Sequence, residues 1–213
     1  MEGFWDARFR KEGRIWGSDP SGTAAYALER FREHGVKSVL IPGSGYGRNS
    51  KLFSDAGFAV TGVEISETAV ELAKKHDPLG TFYNASALDM SFLEGRFDAV
   101  YCFNVLHLFR EADRIAFIRQ CWEKLNDGGL AFFTVFSENE PTFGKGPQTE
   151  PNTFESRPGR PVHYFTEDDL VAHFCAFEAL ETGIMEDPEN HGEGPHTHVL
   201  RYILAVKKGA END

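Results

Sequence analysis

Apolar residues along this chain follow two alternating periods. Short, nearly unbroken apolar runs at 39–41 (Val39, Leu40, Ile41), 58–63, 97–102 and 130–136 predict strands buried on both faces, the pattern of a parallel sheet. Between them, apolar residues recur at helical spacing over 24–34, 49–56, 67–76 and 111–125, each stretch with one face to set against a sheet. Ser21 or Thr23 is placed to cap the first of these helices and Ser66 the third, and Asn126 to Gly129 supplies a glycine stop after the fourth. A third strand over 81–85 alternates poorly. Strands that take turns with helices predict an α/β layer fold with helices on both faces.

The C-terminal part changes character. Thr166 with Asp169 forms a variant capping box for a helix over 167–174. Two long extended runs follow, 177–186 and 199–207, joined by DPENHGEGPHTH. They predict an antiparallel hairpin at one sheet edge, with the Pro- and Gly-rich segment as its turn. Residues 137–161 show no sustained period, yet Phe143, Phe154, His163, Tyr164 and Phe165 anchor the region too well for a free linker. The expected organisation is one domain over 1–213: an N-terminal helical cap (1–35), a cofactor-binding core (36–136), a substrate-side lid (137–165), and a helix with a C-terminal β-hairpin (166–208).

Chemistry concentrates where the first strand ends. Gly43-x-Gly45-x-Gly47 lets the backbone turn tightly and approach a ligand that a Cβ would exclude, and it leads into a helix N-terminus whose amides point at that ligand. The second strand ends at Glu64, about twenty residues beyond the glycines, where a carboxylate can accept both ribose hydroxyls of a nucleoside. Arg48 stands where a dinucleotide fingerprint needs its third glycine, which disfavours nicotinamide binding.

In order and spacing, VLIPGSGYGRN, VTGVEIS, ALDMSF, FDAVYCFNVLHLF and LNDGGLAFFTVFS resemble the class I S-adenosylmethionine-dependent methyltransferases, over about residues 4–208. The resemblance is strongest to the small-molecule branches of tellurite-resistance and thiopurine or halide type. It implies a Rossmann-like fold with a seven-stranded, mostly parallel sheet, an antiparallel last strand and helices on both faces. It also implies a cofactor site of Gly43, Ser44, Gly45, Gly47, Arg48, Glu64, Ile65, Ser86, Ala87, Leu88, Phe103 and Asn104. Two positions depart from the family pattern: Ile41-Pro42 replaces an acidic residue before the glycines, and Ser86 stands where relatives carry an Asp for the adenine amino group. In such relatives the segment corresponding to 4–17 closes over the cofactor, so Trp5 and Trp16 are expected either to pack it onto the core or to act in a lid.

Composition narrows the function. A formal charge of -11 among 213 residues argues against a phosphate-binding face, and so against nucleic-acid partners. No run of eighteen apolar residues predicts a membrane span, and the charged first fourteen residues are unlike a signal peptide; a cytoplasmic location is expected. Cys102, Cys121 and Cys175 read as reduced, packed thiols. His191, His196 and His198 with Asp187 and Glu193 bring ligand-type side chains to one loop, but their spacing matches no closed zinc site, and a solvated hairpin tip is the expected reading.

The function these signals favour is methyl transfer from S-adenosylmethionine to a small molecule: a thiol, a phenol or other hydroxyl, or a metalloid oxyanion. No resident metal is expected. An acceptor that must lose a proton needs a base, and His163, Tyr164 and His107 are the candidates. Competing readings are a non-catalytic sensor that binds the nucleoside cofactor, a metal-binding protein that uses the histidine loop, and, weakened by the glycine spacing, a nicotinamide oxidoreductase.

Overall fold

The computed structural model describes residues 2–191 and 194–209. Two helices open the chain: α1 (Glu2–Glu12), and α2 (Gly22–Glu33) with Ser21 as its N-cap. The alternating core follows as β1 (Ser38–Pro42), α3 (Ser50–Asp55), β2 (Ala59–Glu64), α4 (Glu67–His76), β3 (Thr81–Asn84), β4 (Phe97–Phe103), α5 (Glu111–Lys124) and β5 (Leu125–Phe136). Three short strands come next, β6 (Gln148–Glu150), β7 (Thr153–Arg157) and β8 (Arg160–His163). Then α6 (Glu167–His173) leads to the long hairpin β9 (Phe177–His191) and β10 (Gly194–Lys207).

Seven strands form one sheet in the order β3-β2-β1-β4-β5-β10-β9. The first five are mutually parallel, and β10 runs antiparallel to both β5 and β9. This is the seven-stranded Rossmann-like sheet with an antiparallel last strand. Strand alternation divides it cleanly between two cores. Leu40, Val100, Cys102, Phe133 and Ile203 face one core with α5 and α6, while Val39, Ile41, Tyr101, Phe132 and Leu204 face the other with α2 and α3. A strand apolar at every position thus serves both faces at once. Because strand order reverses between β1 and β4, their carboxyl ends open a crevice, the usual ligand position in such sheets.

Three expectations change. The fourth helix ends at Lys124 instead of at the glycines, and β5 begins at once at Leu125, opposite Phe97; the register shifts between Phe97 and Ala99, where Asn126 to Gly129 is taken into the strand, with Gly128 at φ +74°. The aperiodic segment holds the separate antiparallel sheet β6-β7-β8. The expected hairpin turn is itself paired, with Asp187 opposite His198, Glu189 opposite His196 and His191 opposite Gly194. Since β5 stops at Phe136, opposite Leu200, residues 194–199 extend past β5 as a two-stranded arm with β9. Pro188 and Pro195 are tolerated there because neither position needs a third strand. Glu193 and the His191 side chain lie outside the described part of the structure.

Cys102 and Cys121 are packed thiols whose pKa values burial pushes up. Cys175 is exposed instead. No helix among the described residues is long and apolar enough to cross a membrane.

Candidate functional site

At the crevice the glycine turn hangs from the end of β2. The amides of Gly43 and Ser44 both donate to the carbonyl of Val63, at 2.7 and 3.2 Å. Gly43, Gly45 and Gly47 all have positive φ, +68°, +55° and +85°, which only glycine adopts freely. They serve different neighbours. A Cβ on Gly43 would sit 2.3 Å from Val105, and one on Gly47 3.2 Å from the backbone of Ala73 in α4. Gly45 has no atom nearer than 3.9 Å to such a Cβ, so its bare face is turned to open space. α3 has only six residues and no side-chain cap, and the Gly43, Ser44, Gly45 and Gly47 amides are bonded within the protein, so what the turn offers a ligand is chiefly its close backbone approach.

Glu64 closes this turn from the other side. Its carboxylate accepts the Gly45 amide at 2.9 Å through one oxygen and the Ser66 amide at 2.9 Å through the other. Burial pushes its pKa up, and the amides of Ser66, Gly45 and Ile65 pull it back. Each oxygen keeps a further acceptor position for a ligand hydroxyl.

Turn and carboxylate form the floor of a cavity of about 540 Å³. Gly43, Ser44, Gly45, Arg48, Glu64, Ile65, Ser86, Ala87, Leu88, Phe103 and Asn104 all border it; Gly47, packed on α4, does not belong to the lining. Ser44 borders the cavity through its backbone, while its Oγ is buried against Gly62 of β2 with no hydrogen-bond partner. Ser86 Oγ accepts the Leu88 amide at 3.1 Å, fixing the turn beside the expected adenine edge. Asn104 sits at φ +56°, a conformation Asn tolerates better than most residues, stabilised by Thr134, whose hydroxyl donates to Asn104 Oδ1 at 3.1 Å.

The N-terminal segment is both packed and part of the wall. Trp16 stacks on Tyr46 with centroids 6.0 Å apart, and Tyr46 donates its hydroxyl to the Gly17 carbonyl at 2.8 Å. Trp5, Phe9 and Trp16 border the same cavity. Arg48 ties this segment to the far side: it donates to the Trp16 carbonyl at 3.0 Å and pairs with Glu189 at 3.5 Å.

The other end of the cavity joins His107 and part of the expected lid to Phe136, Glu189 and His198, which the sequence pattern left outside it. Phe136 is sandwiched between the rings of His107, at 4.2 Å, and His198, at 4.8 Å. Glu189 and His198 of the hairpin arm line the cavity, as do Arg160 and Val162 of β8. Among its described residues, then, the histidine loop is paired strand, with Glu189 and His198 facing the crevice. Burial opposes the charged form of His198, but its hydrogen bond to Glu140 and the nearby charges of Glu140, Glu189 and Asp187 outweigh this and raise its pKa. The signal that would have found this arm is the i, i+2 spacing of Asp187 and Glu189 against His196 and His198.

Of the three candidate bases, His107 reaches the cavity and His163 and Tyr164 do not. His163 is buried, with Nδ1 on the Thr153 hydroxyl at 2.8 Å and Nε2 on Asp169 at 2.6 Å; both ring nitrogens hold β8 to β7 and α6. Tyr164 donates its hydroxyl to the Thr142 carbonyl at 3.0 Å and packs with Phe143 and Phe154. His107 is buried and its pKa is lowered to about 3, first by burial and then by His198 and His163. Its Nδ1 accepts the Phe136 amide at 3.4 Å, the role of a ring that orients backbone.

Fold and cleft define the class. Residues 40–133 match the family described as methyltransferase domain, and the resemblance to class I S-adenosylmethionine-dependent methyltransferases holds at the level of fold and domain. Among similar proteins are the glycine/sarcosine N-methyltransferase of Aphanothece halophytica, 30% identical over 61% of this chain and 51% of that protein, and the ubiquinone biosynthesis O-methyltransferase of Coxiella burnetii (strain RSA 493 / Nine Mile phase I), 30% identical over 48% and 45%. The chain thus spans about half the length of the curated relatives it matches. Solved structures of the same fold include magnesium protoporphyrin IX methyltransferase from Synechocystis PCC 6803 with bound SAH (TM-score 0.72, 18% identity, 97% of each chain). TehB from Haemophilus influenzae is another (TM-score 0.68, 18% identity, 96% of this chain and 67% of that one).

Proposed function

We propose that this protein binds S-adenosylmethionine in the crevice and transfers its methyl group to a small molecule that enters beneath the hairpin arm. One observation carries the reading: a single cavity runs from the bare face of Gly45 and the carboxylate of Glu64 to the wall formed by Phe136, His198 and Val162, so nucleoside and acceptor ends share one continuous cleft. The residues fit the cofactor. Glu64 would hold the ribose hydroxyls, the bare face of Gly45 would let the cofactor approach the turn, and Ala87 and Leu88 would flank the adenine.

The cofactor supplies an already activated methyl group, and the chain's residues align the acceptor and exclude water. Trp5, Trp16 and Arg8 cover one side, and β8 covers the other. No proton transfer is assigned to His163 or Tyr164, which stand away from the cavity, nor to His107, which burial makes a weak base and whose Nδ1 already accepts the Phe136 amide. This suits an acceptor that attacks without losing a proton, such as a thiolate or a metalloid oxyanion. The sensor reading needs a lid that fills the acceptor end; here Phe143, Phe154 and Tyr164 pack on one another, and the lid contributes only Arg160 and Val162 to the lining.

Calorimetric titration with S-adenosylmethionine and S-adenosylhomocysteine, with NAD as control, tests the reading. Micromolar binding of the sulfur nucleosides and silence from NAD is expected. Silence from the sulfur nucleosides overturns it.

A further inference from the structure

The hairpin arm brings together side chains that methyl transfer does not require. Asp187 and Glu189 on β9 lie two residues apart, as do His196 and His198 on β10, so each pair points to one face of its strand. The register sets Asp187 opposite His198 and Glu189 opposite His196, the separation at which cross-strand side chains touch. One ligand-type atom from each of Glu189, His196 and His198 falls within 4.8 Å of the others, and the two imidazole centroids are 4.8 Å apart.

The hydrogen bonds around the rings fix which nitrogen is offered. His196 Nδ1 lies 2.9 Å from the Gly194 carbonyl, which only accepts, so Nδ1 carries the hydrogen and Nε2 the lone pair. His198 Nδ1 lies 3.0 Å from Glu140 Oε1, so Nδ1 carries a hydrogen and Nε2 is the nitrogen open to an ion, which binds the neutral ring and displaces any proton there. Glu140 is 4% exposed, and its second oxygen is held at 2.8 Å by the Val199 amide. A buried carboxylate that orients an imidazole through Nδ1 is the outer shell of metal-binding histidines.

Glu189 divides its oxygens. Oε1 meets Arg48 at 3.5 Å, while Oε2 faces His198 Nε2 at 3.8 Å. That gap is long for a hydrogen bond and near the separation of about 3.3 Å between two ligands bound some 2.0 Å from a tetrahedral ion. Asp187, only 4% exposed, adds a carboxyl oxygen with no hydrogen-bond partner. Among the described residues, three buried or nearly buried carboxylates, Glu140, Asp187 and Glu189, thus lie around His198 and Arg48.

We infer that Glu189, His196 and His198 form a binding site for a divalent transition-metal ion of the zinc type at the acceptor end of the cavity. Two imidazoles and one carboxylate are a donor set suited to zinc, cobalt or nickel, with Glu140 as orienting partner of His198. The three ligands among the described residues leave a four-coordinate ion one position for a ligand from the cavity, and an anionic or thiolate group is the class that would take it. Metal binding itself does not depend on the methyl-transfer reading, and the two fail separately.

The test uses tag-free full-length protein, freed of metal by dialysis against a chelator and titrated without nucleoside. Zn²⁺ is followed by calorimetry and Co²⁺ by its visible absorption. One equivalent per chain is expected, lost in the His196→Ala/His198→Ala double variant and weakened about 10- to 100-fold in Glu140→Gln. Absence of stoichiometric binding, or binding unchanged in the double variant, overturns the proposal. Should thermal unfolding show that the double variant has lost its fold, Glu189→Gln takes its place: weakened Co²⁺ binding with an altered spectrum supports the site, and an unchanged titration overturns it.

Discussion

Glu64 shows how one buried carboxylate links turn geometry to ligand affinity. At 7% exposure it is expensive to ionise, and the chain offsets that cost with amides from both sides of the crevice. Those bonds aim its remaining acceptor positions into the cavity before any ligand arrives. Replacing Glu64 with Ala is expected to weaken S-adenosylhomocysteine binding by about 1.5 to 3 kcal/mol, the range for hydrogen bonds to charged groups; unchanged calorimetric affinity would remove Glu64 from the ribose position. Glu64 and the glycines were legible in the sequence because their role is local: a strand end, a turn without Cβ atoms and a spacing of about twenty residues. His198 was not legible, because what makes it a cavity residue is Phe136 stacked on its ring and Glu140 on its Nδ1, partners some sixty positions away in the chain.

The same division holds among elements. β1, β4 and β5 declare themselves as apolar runs because both their faces are buried. β6, β7 and β8 are three to five residues long and largely polar, so no period betrays them, and they persist through side chains from elsewhere. Arg114 on α5, buried at 2% exposure, donates to the Phe109 carbonyl at 2.8 Å and reaches Glu150 of β6 at 3.3 Å. Asp169 on α6 holds both His163 and His173. Likewise Pro188, Gly194 and Pro195 read as turn residues, whereas the pairing of β9 with β10 makes them strand. His163 thus acts as an anchor of the lid. His163→Ala should leave Asp169 and Thr153 without their buried partner and lower stability by about 1 to 3 kcal/mol, measured by urea unfolding, while nucleoside affinity stays at the wild-type value. A loss of nucleoside affinity without loss of stability would contradict the anchoring role.

At the scale of the whole molecule, buried imidazoles set the response to acid. His107 has its pKa lowered to about 3 by burial and by neighbouring histidines, and burial lowers that of His163 although Asp169 pulls it upward. In the unfolded chain both titrate near the ordinary value of about 6.5. Above that value both states are neutral and the full stability is present. Below it the unfolded chain takes up protons that the folded one refuses, so stability falls with pH, for His107 by about 1.4 kcal/mol per pH unit until the folded value is reached. His198 has the opposite sign: its raised pKa adds stability that is complete below about 6.5 and lost as pH rises through the folded value. Asp98 extends the acid limb. Burial raises its pKa, but the amides of Lys37 and Ser38, the Ser38 hydroxyl and Asn126 outweigh that and hold it below the usual carboxylate value, so its contribution is present above about 3.9 and disappears as pH falls through the folded value. Urea unfolding between pH 8 and pH 4 should therefore show stability declining from about pH 6.5 downward. In His107→Gln the slope between pH 6 and pH 4 should flatten by about 1.4 kcal/mol per pH unit, with the neutral-pH loss set by the ring's packing against Phe136 and its bond to the Phe136 amide. A wild-type slope retained in that variant would mean that the acid sensitivity arises from other groups and that His107 is not the neutral, buried ring its hydrogen bond to the Phe136 amide describes.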